Sequence, residues 1–227
     1  MRATTISIII PVYNEATHIE PLFCELINIK KHCEILFIDG GSKDNTREKI
    51  IENGFSVLPS HKKGRAAQMN AGANQATGDI LWFLHADSKL PIHALDEIRA
   101  AICNGYNAGC FKIKFDSSHF LMNLIGVFSN LRVKTRGIAF GDQGIFIEKT
   151  FFRDLGGFRD IPIMEDYDLS LKIRKTGVKL CQINDSILTS ERRFVANGRF
   201  KTMVRMQYLQ HLYRKGTGID QIAEMYQ

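Results

Sequence analysis

Four groups of side chains in this sequence have the types and placement that chemistry needs. Asp39 ends an apolar run and is followed by Gly40, Gly41 and Ser42. Glycines there let a ligand approach the backbone closely. A carboxylate at that point accepts hydrogen bonds from a nucleobase or ribose; a simple turn aspartate is the other reading. His61-Lys62-Lys63-Gly64-Arg65 precedes an alanine-rich stretch. Basic side chains beside the free N–H groups of a helix start suit an anion, and a solvated basic loop is the alternative. Asp87 lies just beyond the apolar run Ile80-Leu81-Trp82-Phe83-Leu84. A carboxylate there suits Mg²⁺ or Mn²⁺, which take few protein ligands and complete their shell with phosphate oxygens and water. His85 beside it reads as a Mn²⁺ ligand or as a structural hydrogen-bonding group. Glu165 and Asp166, with Asp168 close behind, fall at a helix start, where acids suit the helix dipole. One of them could instead take the proton of an attacking hydroxyl, a contribution of about 10²–10⁴-fold.

The elements between these groups must bring them together. The pattern of apolar residues predicts strands over 6–12, 34–38, 55–58 and 80–84. Helices are predicted over 19–30, from the Ser42/Asp44 region to about 53, over 64–75 and over 91–104. Pro11 is expected to end the first strand, Thr17 to cap the first helix, Asp44 or Ser42 the second, and Pro91 to open the fourth. Continuous apolar strands separated by helices imply an α/β fold, a mostly parallel sheet with helices on both faces. Such sheets bind ligands beyond the carboxyl ends of the strands. Tyr13-Asn14-Glu15, Asp39-Gly40-Gly41-Ser42 and His85-Ala86-Asp87 all fall at such ends. The second half is less regular. It holds an alternating strand over 108–115, helical spacing from Phe120 to Leu131, a strand over 144–147, a helix over 165–175 ended by Gly177 and a strand over 178–183. A basic amphipathic helix starts at Arg199 and a short segment follows Gly218. The expected organisation is one domain over 1–197 and a C-terminal helical tail over 198–227, packed on the domain or in a dimer.

Composition narrows the classes. The chain has 227 residues, 44% of them hydrophobic, and a formal charge of +6. That suits a globular domain. The basic residues gather in scattered clusters rather than one stripe, which argues against a nucleic-acid partner. No G-x-x-x-x-G-K-[ST] occurs, nor a G-x-G-x-x-G after a strand, so a P-loop and a dinucleotide fold are disfavoured. Five cysteines without a C-x-x-C pair argue against zinc and for reduced thiols in the cytoplasm. No apolar run reaches the roughly 18–20 residues of a spanning helix, and no leader pattern opens the sequence. A soluble chain is expected, at most peripheral on the inner membrane face.

Six segments carry a resemblance. They are Pro11-Val12-Tyr13-Asn14-Glu15, Asp39 to Thr46, Gly64-Arg65-Ala66-Ala67-Gln68-Met69-Asn70, His85-Ala86-Asp87, Glu165-Asp166 and Arg192-Arg193-Phe194, in that order. Together they resemble a family 2 glycosyltransferase of the GT-A fold, over roughly residues 4–194. Gly141-Asp142-Gln143-Gly144 and the arginine pair resemble its radical-SAM/selenodomain-associated transferase 2 subgroup. The resemblance implies that Pro11, Tyr13, Glu15 and Asp39 hold the nucleoside, with Tyr13 near the base, and that Arg65 lies near the nucleoside or phosphates. It implies that Asp87, the last position of the family's D-x-D, binds a divalent cation (Mn²⁺ or Mg²⁺). Asp166, the second residue of its E-D pair, would be the catalytic base, and Glu165, Arg192 and Arg193 would lie near the diphosphate and acceptor. The first D-x-D position is His85, and the family's tryptophan after the arginine is Phe194.

The implied activity is inverting transfer of a sugar from a nucleoside-diphosphate sugar, a UDP-sugar first among them, to an acceptor hydroxyl. Two other classes stay in view. A sugar nucleotidyltransferase would carry a glycine-rich basic loop after its first strand, where Tyr13-Asn14-Glu15 stands instead. A non-catalytic nucleotide-sugar-binding module would draw on the altered D-x-D. The acceptor, homodimerisation and membrane contact of the basic C-terminal helix are left open.

Overall fold

A computed structural model describes residues 4–226, the side chain of Arg193 excepted. Strands β1 (Ile6–Val12), β2 (Glu34–Asp39), β3 (Ser56–Pro59), β4 (Ile80–Phe83), β5 (Ala108–Phe115), β6 (Phe146–Glu148) and β7 (Cys181–Thr189) form one sheet. Their order is β3-β2-β1-β4-β6-β5-β7. The pairs β1–β2, β1–β4, β2–β3 and β5–β7 are parallel; β6 runs antiparallel between β4 and β5.

The continuous apolar runs have a two-sided cause. Ile8, Ile10, Phe37, Trp82 and Leu84 pack into a core on one face, while Ile9, Ile38, Leu81 and Phe83 pack into a second core on the other. On the first face lies α4 (Ala94–Cys103), with Leu95 and Ile98 buried, beside α1 (Glu20–Ile29). On the second face lies α3 (Arg65–Gln75), which sends Met69 and Ala73 inward. Helix α2 (Thr46–Glu52) links β2 to β3.

Local chemistry moved several expected boundaries. Pro11 does not end β1; it pairs with Ile38 inside the strand. The Leu84 N–H bonds the Ile9 carbonyl, so alternate residues of β1 turn toward β4, and β4 ends its pairing with Phe83 opposite Ile9. Pro11 therefore meets no ladder that needs its missing N–H. Thr17 makes no cap, and the position before α1 is Ile19. Asp44 accepts from the Thr46 N–H at the start of α2 and from the Ala16 N–H, tying that helix to the loop after β1. Helix α4 begins at Ala94, after a turn that includes Pro91. Helix α5 (Phe120–Arg136) outruns its predicted span and ends at Gly137 in the left-handed conformation. The last strand lies over Cys181–Thr189 rather than 178–183. Its polar centre, Asn184-Asp185-Ser186, hid it: the register jumps between Phe111↔Ile183 and Lys112↔Ser186, and the strand continues past the bulge to Ile187.

The short helices α6 (Lys149–Asp154) and α8 (Arg192–Asn197) add to the predicted set, around α7 (Glu165–Lys175). Helices α9 (Arg199–Arg214) and α10 (Ile219–Tyr226) follow. Leu209 and Ile222 of these last two pack with Ile138, Ile163, Met164 and Tyr167. The Tyr213 hydroxyl donates to Asp168 Oδ1 at 2.8 Å.

Two glycines separate close packing from mere helix membership. A Cβ on Gly109 of β5 would lie 2.3 Å from the Phe146 ring and 2.5 Å from the Cys181 carbonyl; on Gly126 of α5 it would lie 3.5 Å from the nearest atom, the Ile113 carbonyl. Gly109→Ala is expected to lower stability in urea by about 2 kcal/mol or more. Gly126→Ala is expected to be neutral or to raise it by up to about 1 kcal/mol through helix propensity.

Candidate active site

A cleft of about 740 Å³ opens beyond the carboxyl ends of β1 and β4. Pro11 lines it from the end of β1, Tyr13 and Glu15 from the loop after that strand, Arg65 from the start of α3, and Asp87 from the loop after β4. Glu165 and Asp166 line it from α7, and Arg192 from α8. These predicted positions thus come from both halves of the chain to one cleft. Asp39 does not line it, although Gly40 does. Its carboxylate is buried and accepts from the Gly41 and Ser42 N–H groups and the Ser42 hydroxyl, the last at 2.6 Å. Asp39 therefore shapes the loop behind the cleft. Arg193 lies outside the described side chains.

Strained backbone aims two of these segments. Asn14 and Met164 are the non-glycine residues with positive φ among the described residues, 54° and 69°. Asn14 is held by bonds to Ser42 and to the Lys43 N–H. Met164, buried in the core shared with α9 and α10, turns the chain so that Glu165 and Asp166 open α7 facing the cleft. Such conformations persist only where the surroundings hold them.

The charges are interlocked. Arg192 Nη2 stands 3.6 Å from Asp87 Oδ2 and 3.8 Å from Glu15 Oε2. Burial raises the Glu15 carboxyl above its ordinary range, partly offset by Arg192. Arg65 lies between Glu165 Oε1, 3.6 Å from its Nε, and His85 Nε2, 3.4 Å from its Nη1. Burial, with Arg65 beside it, pushes His85 down to about 3. The imidazole is neutral at physiological pH, and the Nε2 lone pair faces the guanidinium as acceptor. His85 thus has a structural partner at the atom that would otherwise bind metal. Burial and the neighbouring Asp166 push Glu165 up to about 7.

Asp166 is fixed from across the cleft. Its Oδ2 accepts from the Gly141 N–H at 2.8 Å, and its Oδ1 accepts from the Tyr167 N–H. A Cβ on Gly141 would lie 2.7 Å from His85 Nε2, so this turn fits between His85 and Asp166 only as glycine. The same turn carries Asp142, which lines the cleft, has a buried and unpartnered Oδ1, and is pushed up to about 6 by burial. Arg132 of α5 braces the turn: it donates to Gln143 Oε1 and the Ile138 carbonyl and stacks over Phe140, 4.1 Å from the ring centre. Asp142 and Arg132 carry no signal of their own in the sequence, since neither follows a predicted strand end or helix start. Gln68 stands out in the sequence only as part of the Gly64–Asn70 segment, yet its buried Nε2 donates to both the Val12 and Ile38 carbonyls.

A family model for glycosyl transferase family 2 matches residues 7–153. The chain belongs to glycosyl transferase family 2. The match includes Pro11 to Glu15, Asp39, Arg65, Asp87 and Asp142, and stops before Glu165, Asp166 and Arg192.

Solved structures give the same fold. The mannosyltransferase PcManGT from Pyrobaculum calidifontis, in complex with GDP-Man and Mn²⁺, is 21% identical over 93% of this chain and 63% of that one, with a TM-score of 0.68. TarS of S. aureus, residues 1–349 in complex with UDP-GlcNAc, is 18% identical over 83% and 59%, with a TM-score of 0.66. Glucosyl-3-phosphoglycerate synthase from Mycobacterium tuberculosis, with Mn²⁺ and UDP-Glc, is 17% identical over 95% and 80%, with a TM-score of 0.67. The chain spans about three fifths of the first two proteins. The family 2 chain has the GT-A architecture.

A divalent cation fits the donor set of this family 2 cleft in one way. Among the described residues no group of three His, Cys, Asp or Glu side chains could hold an ion. Mg²⁺ and Mn²⁺ are commonly held by one or two carboxylates plus substrate phosphates. Asp87, partly exposed in the cleft with a guanidinium no nearer than 3.6 Å, offers such a carboxylate.

The raised Glu165 pKa has a testable sign. A carboxyl with a higher pKa folded than unfolded stabilises the fold below its unfolded value near 4.5, and that contribution is lost as pH rises through about 7. Glu165→Gln, neutral throughout, is expected to match wild type near pH 4 and to exceed it by about 3 kcal/mol above pH 8. Thermal midpoints of both proteins across that range test it.

Proposed function

We propose that this chain transfers a sugar from a nucleoside-diphosphate sugar, with a UDP-sugar as the expected donor, to an acceptor hydroxyl with inversion. The observation that carries this reading is Asp166, pinned by the Gly141 N–H and facing the same cleft as Asp87, Arg65 and Arg192. The similar structures add weight, because those proteins were solved with GDP-Man, UDP-GlcNAc and UDP-Glc.

The roles follow from position. The Pro11–Glu15 turn offers the nucleoside a wall, with half-exposed Tyr13 available to stack on the base. Asp39 acts on the nucleoside through the Gly40–Ser42 loop that it fixes. Arg65 and Arg192 place guanidinium groups where a diphosphate would lie, and Arg193 follows in sequence. Asp87, together with the diphosphate oxygens, would hold a divalent cation, Mn²⁺ or Mg²⁺, which would supply Lewis-acid neutralisation of the leaving group. Asp166 takes the proton of the acceptor hydroxyl. That hydroxyl attacks the anomeric carbon opposite the departing nucleoside diphosphate, so one bond forms as the other breaks. Glu165 stays paired with Arg65 and keeps that guanidinium turned into the cleft.

Subgroup membership in the radical-SAM/selenodomain-associated transferases 2 is part of this proposal. It is supported by the Gly141–Gly144 turn, whose shape depends on glycine beside His85. A cytoplasmic setting is supported by the unpaired state of all five cysteines. Among the described residues, no helix is long and apolar enough to cross a membrane.

Calorimetric titration with UDP, GDP, CDP and dTDP, with and without Mn²⁺, tests the donor site. One nucleotide is expected to bind in a metal-dependent manner, and Asp87→Ala to remove that dependence. Asp166→Asn keeps an oxygen for the Gly141 N–H. It is expected to cut turnover by about 10²–10⁴-fold while nucleotide affinity stays within about twofold. Full activity in Asp166→Asn would sink the base assignment; binding of none of the four nucleotides would sink the donor reading.

A further inference from the structure

Helices α5 and α9 lie against one another, and each turns apolar side chains outward. On α5, Phe120, Val127, Phe128 and Leu131 are exposed, from 49% to 77%. At 100° per residue these four fall on one stripe. The opposite side of α5 is also apolar: Met122, Gly126 and Val133 are buried there. A helix with apolar stripes on two opposite sides normally has both covered. On α9, Phe200, Val204 and Tyr208 recur every four residues and are again about half exposed or more. Monomeric soluble proteins rarely leave apolar patches of this extent open.

The charge on these helices identifies what covers them. Neither helix contains an Asp or Glu. Lys134 flanks the α5 stripe, Arg136 stands exposed at the end of that helix, and Lys201 and Arg214 stand exposed on α9. None of these four makes an ion pair among the described residues. A second copy of the chain meeting this face across a two-fold axis would set these cations against their own images. Apolar side chains interleaved with unpaired cations match the interface of an anionic bilayer, where rings enter the headgroup region and Lys and Arg meet lipid phosphates.

We propose that the face formed by α5 and α9 docks on an anionic lipid bilayer. The cleft lies on the other side of α9: Thr202 and Met206, which line it, project from the side of the helix opposite Phe200, Val204 and Tyr208. The docking does not rest on the transferase reading above.

Flotation with vesicles tests it without any donor. The protein is expected to float with equimolar phosphatidylcholine and phosphatidylglycerol, about tenfold more than with phosphatidylcholine alone, and to be released by high salt. Phe128→Ser combined with Phe200→Ser is expected to lower flotation about tenfold, with an unchanged thermal midpoint as the control for folding. Lys134→Glu with Lys201→Glu should do the same through charge. Equal recovery of wild type and both variants, or no flotation of wild type with either vesicle, would overturn the proposal. So would light scattering that shows a wild-type dimer split by the phenylalanine pair, since the face would then belong to a second copy. Because no readout uses a nucleotide, failure here and failure of the donor titration are separate results.

Discussion

Burying both faces of the sheet decides where polar chemistry can occur. Alternate residues of β1, β2 and β4 enter two different cores, so these strands have no face left for charge. Polar side chains can gather only where the strands stop. The neighbours of β1 leave on opposite sides, β2 on one and β4 on the other, and their loops part beyond its carboxyl end. Gln68 ties the ends of β1 and β2 together there, bonding the Val12 and Ile38 carbonyls at the last rungs of the ladder. Gly40 permits this, since a Cβ there would lie 3.1 Å from the Gln68 amide.

The cleft is then a problem in charge balance. Glu15, Asp87, Asp142, Glu165 and Asp166 line it, against Lys63, Arg65 and Arg192. Where a guanidinium does not fully compensate, burial raises the carboxyl pKa, as at Asp142 and Glu165. Arg192 is shared between Asp87 and Glu15 at distances too long for good hydrogen bonds. An anionic donor entering this cleft meets carboxylates first. On the proposed reading, a cation at Asp87 would weaken its hold on Arg192 and free the guanidinium for the diphosphate.

The donor half was legible because its chemistry is local. Apolar runs mark the strands, and Tyr13, Asp39 and Asp87 fall at or just past their ends. The second half was less legible because its order comes from distant contacts. The bulge in β7 has no pattern of its own and depends on pairing with β5. Asp142 looks like a loop aspartate, and only the closure of α5 and α7 over its turn makes it a buried carboxylate. Asp39 was legible as a strand-end acid, but its saturation by Ser42 belongs to the folded loop.

The C-terminal helices are part of the site's construction. Met164 holds a left-handed conformation that its own chemistry disfavours, and Leu209 and Ile222 belong to the core around it. Tyr213 fixes Asp168 on the same turn of α7. Without α9 and α10, Met164 loses the packing that offsets its strain, and the orientation of Glu165 and Asp166 goes with it. The family match ends at residue 153, before this whole assembly. The family-matched half of the fold thus carries Asp87 and the turn after β1, while the tail-braced half carries Glu165 and Asp166, the second of these the base on the proposed reading. The same tail that turns unpaired cations outward sends Leu209 and Ile222 inward, where they pack around Met164 ahead of Asp166.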